Sequence, residues 1–195
     1  LLEEDLPAEK RLEFLKGISA QLEKMQWMIT TLLKISKFDA GTAVLHKEPV
    51  ELAAVVEQAL APFIIQAELR QMTLAVDCRQ GQFLGDRLWT VEAVQNILKN
   101  CLEHMDNGGT LRLTGTQTVL YCQLVIADDG CGIEKEDLPH IFERFYKGKN
   151  AGPDSVGIGL ALSKSVLNRE NATVEVQSTV GVGTTFTIRF YRNII

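Results

Sequence analysis

The chain has 195 residues, 46% hydrophobic and 23% charged, which suits one globular domain with an appendage and excludes a disordered or fibrous polypeptide. Its formal net charge of −5 excludes a nucleic-acid surface as the principal contact, since phosphate backbones need a basic face; any anionic ligand must be held locally, by a few groups and a cation. The longest nearly apolar run, residues 55–65, is broken by Glu57 and Pro62 and falls short of the roughly 18 residues of a membrane span, so no membrane contact is expected. Cys78, Cys101, Cys122 and Cys131 lie far apart without a C-x-x-C pair, and read as free thiols of a reducing cytosol. No signal peptide is visible, and a chain that opens on Leu1 reads as excised from a longer one.

Residues 1–7 are acidic and loop-like, with Pro7 placed for the first turn of a helix beginning near Ala8. Leu15, Ile18, Leu22, Met25, Ile29 and Leu32 then alternate spacings of three and four, the seam of a bundle or coiled-coil helix of about 30 residues and ~45 Å. Such a stripe needs partner helices; the alternative is that it packs on the remainder of the same chain. Gly41 ends this helix, and the boundary between appendage (residues 1–43) and globular domain (44–195) falls here.

A short strand at 44–46 leads to a helix from Glu51 to Leu69 that Pro62 kinks, followed by strands at 72–76 and 83–84. Asp86 is a good N-cap for a helix reaching about His104. Glu92, Asn96 and Asn100, spaced by four, project from one face of it. Asparagine is a poor residue inside a helix, so two in register point to amide oxygens that coordinate Mg²⁺ beside phosphates; a solvated polar face is the plain alternative.

Residues 110–116 and 119–127 read as an antiparallel hairpin that runs into Asp128-x-Gly130-x-Gly132-Ile133. A carboxylate fixed at a strand end accepts hydrogen bonds, and the glycines strip side chains from the wall beside it, so a flat group bearing an exocyclic amine, such as adenine, fits there; Asp-Asp-Gly is also a good turn sequence. Residues 139–147 read as a short helical turn with Phe142 and Phe145 as local core anchors, and 147–156 as a mobile loop. Gly157-Ile158-Gly159-Leu160 opens a helix to about Asn168, leaving amides and the positive end of the helix dipole free for phosphate, with a simple helix start as the alternative. Two antiparallel strands, 173–178 and 184–190, close the chain.

Taken in order, these motifs resemble the ATP-binding domain of two-component sensor histidine kinases. Asn96 to Asn100 is similar to that family's N box, Asp128 to Ile133 to its first glycine box, Ile141 to Phe145 to its F box, and Gly157 to Leu160 to its second glycine box; Gly181 to Phe186 resembles its last signature. The resemblance covers residues 48–191, while residues 8–41 resemble the second helix of the dimerisation and phosphotransfer hairpin. It implies an α+β fold, a two-layer α/β sandwich of the Bergerat type whose mixed sheet of about five strands carries helices on one face, preceded by the long helix.

The resemblance also implies roles. Asp128 accepts from the adenine amino group, Gly132 backs the ring, Thr184 reaches the same place, and Gly130 and Ile133 complete the box. Asn96 and Asn100 hold Mg²⁺ against the phosphates of ATP, and His104 packs near the base. Glu92 is the candidate catalytic acid, Arg144 and Lys147 steady the transferring phosphate, and the segment Gly157, Ile158, Gly159 and Leu160 supplies backbone donors. A cytoplasmic location, a response-regulator partner and a homodimer of the full-length parent through the helix hairpin are implied as well. Cys101 and Ile158 depart mildly from the pattern. A histidine followed by an acidic residue on a hairpin helix is missing, since His46, His104 and His140 lie in other contexts, so this chain is expected to bind ATP without phosphorylating itself. Another ATPase of the same fold, or a non-catalytic regulatory and dimerisation module, are the alternatives.

Overall fold

The computed structural model describes residues 7–149 and 155–192. Helix α1 (Ala8–Asp39) is 32 residues long with Pro7 at its N-cap, one place before the expected first turn, and it ends where Gly41 takes φ +69°. β1 (Glu48–Glu51) pairs antiparallel with β3 (Gln82–Gly85), and between them run α2 (Leu52–Leu60), a 3₁₀ turn at Ala61–Phe63, α3 (Ile64–Leu69) and β2 (Thr73–Asp77). Pro62 thus breaks the helix rather than bending it. α4 (Arg87–Glu103), the hairpin β4 (Thr110–Gln117) and β5 (Tyr121–Asp128), α5 (Gly159–Arg169), β6 (Ala172–Thr179) and β7 (Gly183–Tyr191) complete the chain.

The main sheet has the order β2-β4-β5-β7-β6, parallel between β2 and β4 and antiparallel elsewhere. Alternation decides its two faces. Cys122, Leu124 and Ile126 of β5 and Phe186, Ile188 and Phe190 of β7 are fully buried under α2, α4 and α5, while the residues between them are half-exposed. The result is two layers with helices on one side. Phe83 stacks on Phe190 with ring centroids 3.8 Å apart, tying the small sheet to the large one.

Four local expectations differ from the structure. Residues 44–46 form no strand, because the His46 N–H is taken by the Asp86 carboxylate at 2.8 Å instead of a neighbouring strand. Residues 139–147 form successive turns rather than a helix: Phe145 takes φ +64° and is exposed, so only Phe142 of the two packs on the core. α5 begins at Gly159, since the left-handed φ of +73° at Gly157 keeps that residue out of the helix. Finally, Leu52–Leu69 is long and apolar enough by composition to resemble a membrane span, but the 3₁₀ turn interrupts it and Leu52, Val55, Val56, Ala59 and Leu60 lie in the core.

The two halves of α1 differ. Thr31, Ile35 and Phe38 are buried, Phe38 edge-on to Trp89 of α4 at 4.8 Å, whereas Leu15, Ile18, Leu22, Met25 and Ile29 are exposed. The expected seam is therefore covered by this chain only at its C-terminal end.

Candidate functional site

α4 carries the site because its two faces are chemically distinct. One buries Ala93, Val94, Ile97, Leu98, Cys101 and Leu102; the other presents Asn96, Lys99, Asn100 and Glu103 at spacings of three and four. That polar face forms one wall of a cavity of about 130 Å³. The opposite walls come from Gly132, Ile133, Glu134 and Asp137 after β5, from Tyr146 to Gly148, and from Ser155 to Gly157 with Gly159 and Leu160 at the start of α5. His104, the residue that ends α4, and Trp27 of α1 also line it.

Two glycines permit the close approaches. A Cβ on Gly132 would stand 2.3 Å from the Thr179 carbonyl oxygen, and one on Gly157 2.3 Å from that of Tyr146, at positions whose φ values are +74° and +73°. Gly159 brings the start of α5 against Asn96, where an added Cβ would lie 3.3 Å from its Oδ1. The sequence-distant Asn face and Gly-x-Gly segment thereby meet. No side chain caps α5, so its first-turn amides remain available as donors, and the Asn96 and Asn100 amides make no hydrogen bond among the described residues.

Asp128 ends β5 as the strand–turn reading requires. Its Oδ1 accepts from the backbone N–H groups of Gly130 at 3.0 Å and Thr184 at 3.1 Å, which fixes the carboxylate. The buried Cys101 thiol lies beside it, and burial, reinforced by the Asp128 charge, pushes that thiol well above its usual range, so it stays protonated. Asp128, Gly130, Thr184 and Ile158 do not line the cavity: Gly130 and Thr184 are buried and Ile158 is a core residue.

Two of the sequence candidates are engaged elsewhere. Glu92 pairs with Lys34 of α1 at 2.5 Å, and Arg144 with Asp39; neither lines the cavity. Asn96, Asn100, His104, Gly132, Ile133, Lys147, Gly157, Gly159 and Leu160 are the candidates that the fold brings together. Of the loop expected at 147–156, residues 150–154 lie outside the described residues.

Lys99, Glu103, Asp137, Tyr146 and Trp27 were absent from the sequence assignment. Lys99 and Glu103 were legible, since they fall three and seven positions after Asn96 on the same face. The Tyr146 hydroxyl donates to Asp137 at 2.7 Å and holds that carboxyl below its ordinary range, pinning the 143–149 segment to the loop after β5. Phe145 N–H donates to the Gly157 carbonyl at 2.7 Å and closes the same wall from the other side.

Comparison with known proteins agrees with this arrangement. Residues 85–194 match the family model described as "Histidine kinase-, DNA gyrase B-, and HSP90-like ATPase". The chain is 28% identical over 186 residues to the heme sensor protein HssS of Staphylococcus saprophyticus, covering 95% of this chain and 40% of that protein. It is 31% identical over 182 residues to the signal transduction histidine-protein kinase/phosphatase MprB of Mycolicibacterium vanbaalenii, covering 92% and 37%. The chain thus spans about two fifths of the length of these relatives. Among solved structures, the mycobacterial sensor histidine kinase MprB superposes with a TM-score of 0.68 at 26% identity, over 74% of this chain and 97% of that one. Full-length ShkA in complex with AMPPNP superposes with a TM-score of 0.80 at 20% identity over 96% of this chain and 40% of that one, a likeness of fold. With more than half its length matched, and with the Asn-bearing helix and the glycine turns facing one cavity, the chain belongs to the histidine kinase-, DNA gyrase B- and HSP90-like ATPase family.

Proposed function

We propose that this chain binds Mg²⁺-ATP and forms the catalytic portion, with one dimerisation helix, of a two-component sensor histidine kinase. The observation that carries the reading is the meeting of two unpartnered amide side chains, Asn96 and Asn100, with the uncapped first turn of α5 across one cavity. The donor set fits the ligand: amide oxygens are hard ligands suited to Mg²⁺, and free backbone N–H groups at a helix start suit phosphate. The cavity is smaller than the ~300 Å³ of typical ligand pockets, so the wall formed by 143–149 and 155–157 gives way for a nucleotide to reach Asp128.

The chain's own residues then divide the work. The Asp128 carboxylate accepts from the base, and its fixed orientation selects an amine over a carbonyl. Gly132 leaves its backbone bare for a flat ring, and His104 closes the side. Asn96 and Asn100 hold the metal, which when bound neutralises phosphate charge. Gly157, Gly159, Leu160 and Lys147 receive the anionic end. Glu92 and Arg144 act on the transfer only once α1 has released them. The phosphoryl group goes to a histidine outside α1 and from there to a response-regulator aspartate. Residues 1–43 act as the dimerisation helix and 44–195 as the catalytic domain of a cytoplasmic region, the exposed stripe of α1 supporting a homodimer of the parent.

Calorimetric titration with a non-hydrolysable ATP analogue tests the reading. Affinity that depends on Mg²⁺ is expected. Asn100→Ala lowers Mg²⁺-nucleotide affinity about 100-fold, or ~2.7 kcal/mol, and adenosine affinity little. Asp128→Asn lowers both alike. Binding that ignores Mg²⁺, or equal losses in the Asn100 variant, would remove the metal role.

A further inference from the structure

The cavity lining holds more negative than positive charge. Glu103, Glu134 and Asp137 face Lys99 and Lys147, three carboxylates against two ammonium groups, so an anionic ligand is admitted only where the cations stand. Lys147 stands on the turn segment 143–149, whereas Lys99 rises from the C-terminal end of the well-packed helix α4. Its Nζ is 3.7 Å from Glu103 Oε1, a looser approach than a hydrogen bond, and 5.1 Å from the ring centroid of Trp27. The ammonium group is thus steered by two weak partners and spent on neither. Trp27 itself belongs to α1 and lines the same cavity.

We propose that Lys99 contacts the anionic end of the nucleotide and that Trp27 is its positioning residue, so that α1 contributes to the binding of the charged part of the ligand. The proposal rests on the nucleotide reading above and adds to it a cation that the sequence motifs do not name. Lys99 also screens Glu103, whose carboxylate would otherwise face the phosphate directly across the cavity. The π face of Trp27 keeps the ammonium at the rim without a competing hydrogen bond, which limits the rotamer freedom lost when an anion arrives.

The test is titration of the whole chain with adenosine and with ADP, both without Mg²⁺, so that the metal ligands play no part. Lys99→Met is expected to weaken ADP about tenfold and adenosine less than twofold, with Lys99→Arg restoring most of the loss. Trp27→Ala is expected to weaken ADP about threefold, leaving adenosine unchanged, with Trp27→Phe restoring it. The chain has two tryptophans, so in a Trp89→Phe background the emission of Trp27 should change on addition of ADP and not of adenosine. Unchanged ADP affinity in Lys99→Met, or equal losses for both ligands, overturns the proposal for Lys99. ADP affinity that is unchanged or higher in Trp27→Ala overturns the positioning role. If the unaltered chain binds neither ligand, the nucleotide reading itself falls, an outcome separate from these.

Discussion

The two ends of α4 carry similar side chains to opposite ends. At its start, Asp86 caps the helix through Leu88 N–H at 3.1 Å and Trp89 N–H at 3.3 Å, and its other carboxylate oxygen takes the His46 N–H. Glu170, at the end of α5 and 1% exposed, accepts from Asp86 N–H at 2.8 Å and meets the Thr90 hydroxyl at 2.8 Å. At the far end, Asn96, Lys99, Asn100 and Glu103 stand in a cavity, and the two asparagine amides are unbonded among the described residues. Polar groups that close on one another hold the fold, and polar groups that do not are available to a ligand. The same helix thus serves structure and binding in successive turns.

The largest effect expected from breaking the closed end is that of Glu170→Ala. It strands the Asp86 N–H in a buried place and opens a cavity among Asp86, Thr90 and α5. A loss of about 4 kcal/mol in urea unfolding is expected, with adenosine affinity of the folded fraction unchanged. A loss below about 1 kcal/mol would show that the network is not what fastens α4 to α5.

Next in size is a pH effect at the same carboxyl. Burial, partly offset by the hydrogen bond from Thr90, pushes Glu170 up to about 7. The hydrogen count agrees: Thr90 Oγ1 has one proton and two acceptors in reach, the Asp86 carbonyl at 2.8 Å and Glu170 Oε2, so a protonated Glu170 donating to Thr90 resolves the competition. A carboxyl with a raised folded pKa binds its proton more tightly folded than unfolded. Its stabilising contribution is complete below about pH 4.5 and is lost as pH rises through about 7. Stability should therefore fall by about 2–3 kcal/mol between pH 5 and pH 8, the part of the change from about 4.5 to about 7 that lies in this window, at 1.36 kcal/mol per pH unit. Glu170→Gln, which keeps the shape and donor of the neutral acid, should match the unaltered chain at pH 5 and exceed it at pH 8. Parallel pH profiles for the two would place the proton elsewhere.

The sequence showed the open end better than the closed one, for a physical reason. Asn96 and Asn100 are conspicuous because asparagine disfavours helix interiors, and glycines before a helix advertise bare amides, so most of the cavity wall was legible from local chemistry. Glu170 follows an ordinary helix, and nothing near it in the chain marks it as buried; its partners lie 80 and 84 residues away. Likewise Lys34–Glu92, Asp39–Arg144 and Trp27–Lys99 join α1 to residues far along the chain, and no periodicity encodes them. The strand expected at 44–46 failed for the same reason, its amide being claimed by Asp86. The strands of β5 and β7 were legible because β7 alternates and β5 runs apolar, patterns that need no partner to be read, while their two-layer arrangement came with the family resemblance.

Glu92 stands between the two ends and gives the smallest effect. Its pair with Lys34 is short, but both side chains are about 30% exposed, and an ion pair in that setting is worth roughly 0.2–1 kcal/mol. Lys34 also lies 5.5 Å from the centroid of the Trp89 ring, a contact that outlasts loss of the carboxylate charge. Glu92→Gln should therefore cost no more than about 1 kcal/mol in urea unfolding and weaken further at low salt relative to the unaltered chain, since screening already reduces the pair at high salt. Adenosine and Mg²⁺-nucleotide affinities should stay within twofold, because the side chain lies outside the cavity while α1 is docked. A tenfold fall in Mg²⁺-nucleotide affinity would extend the open end of α4 by one turn and place Glu92 with Asn96 and Asn100 at the ligand.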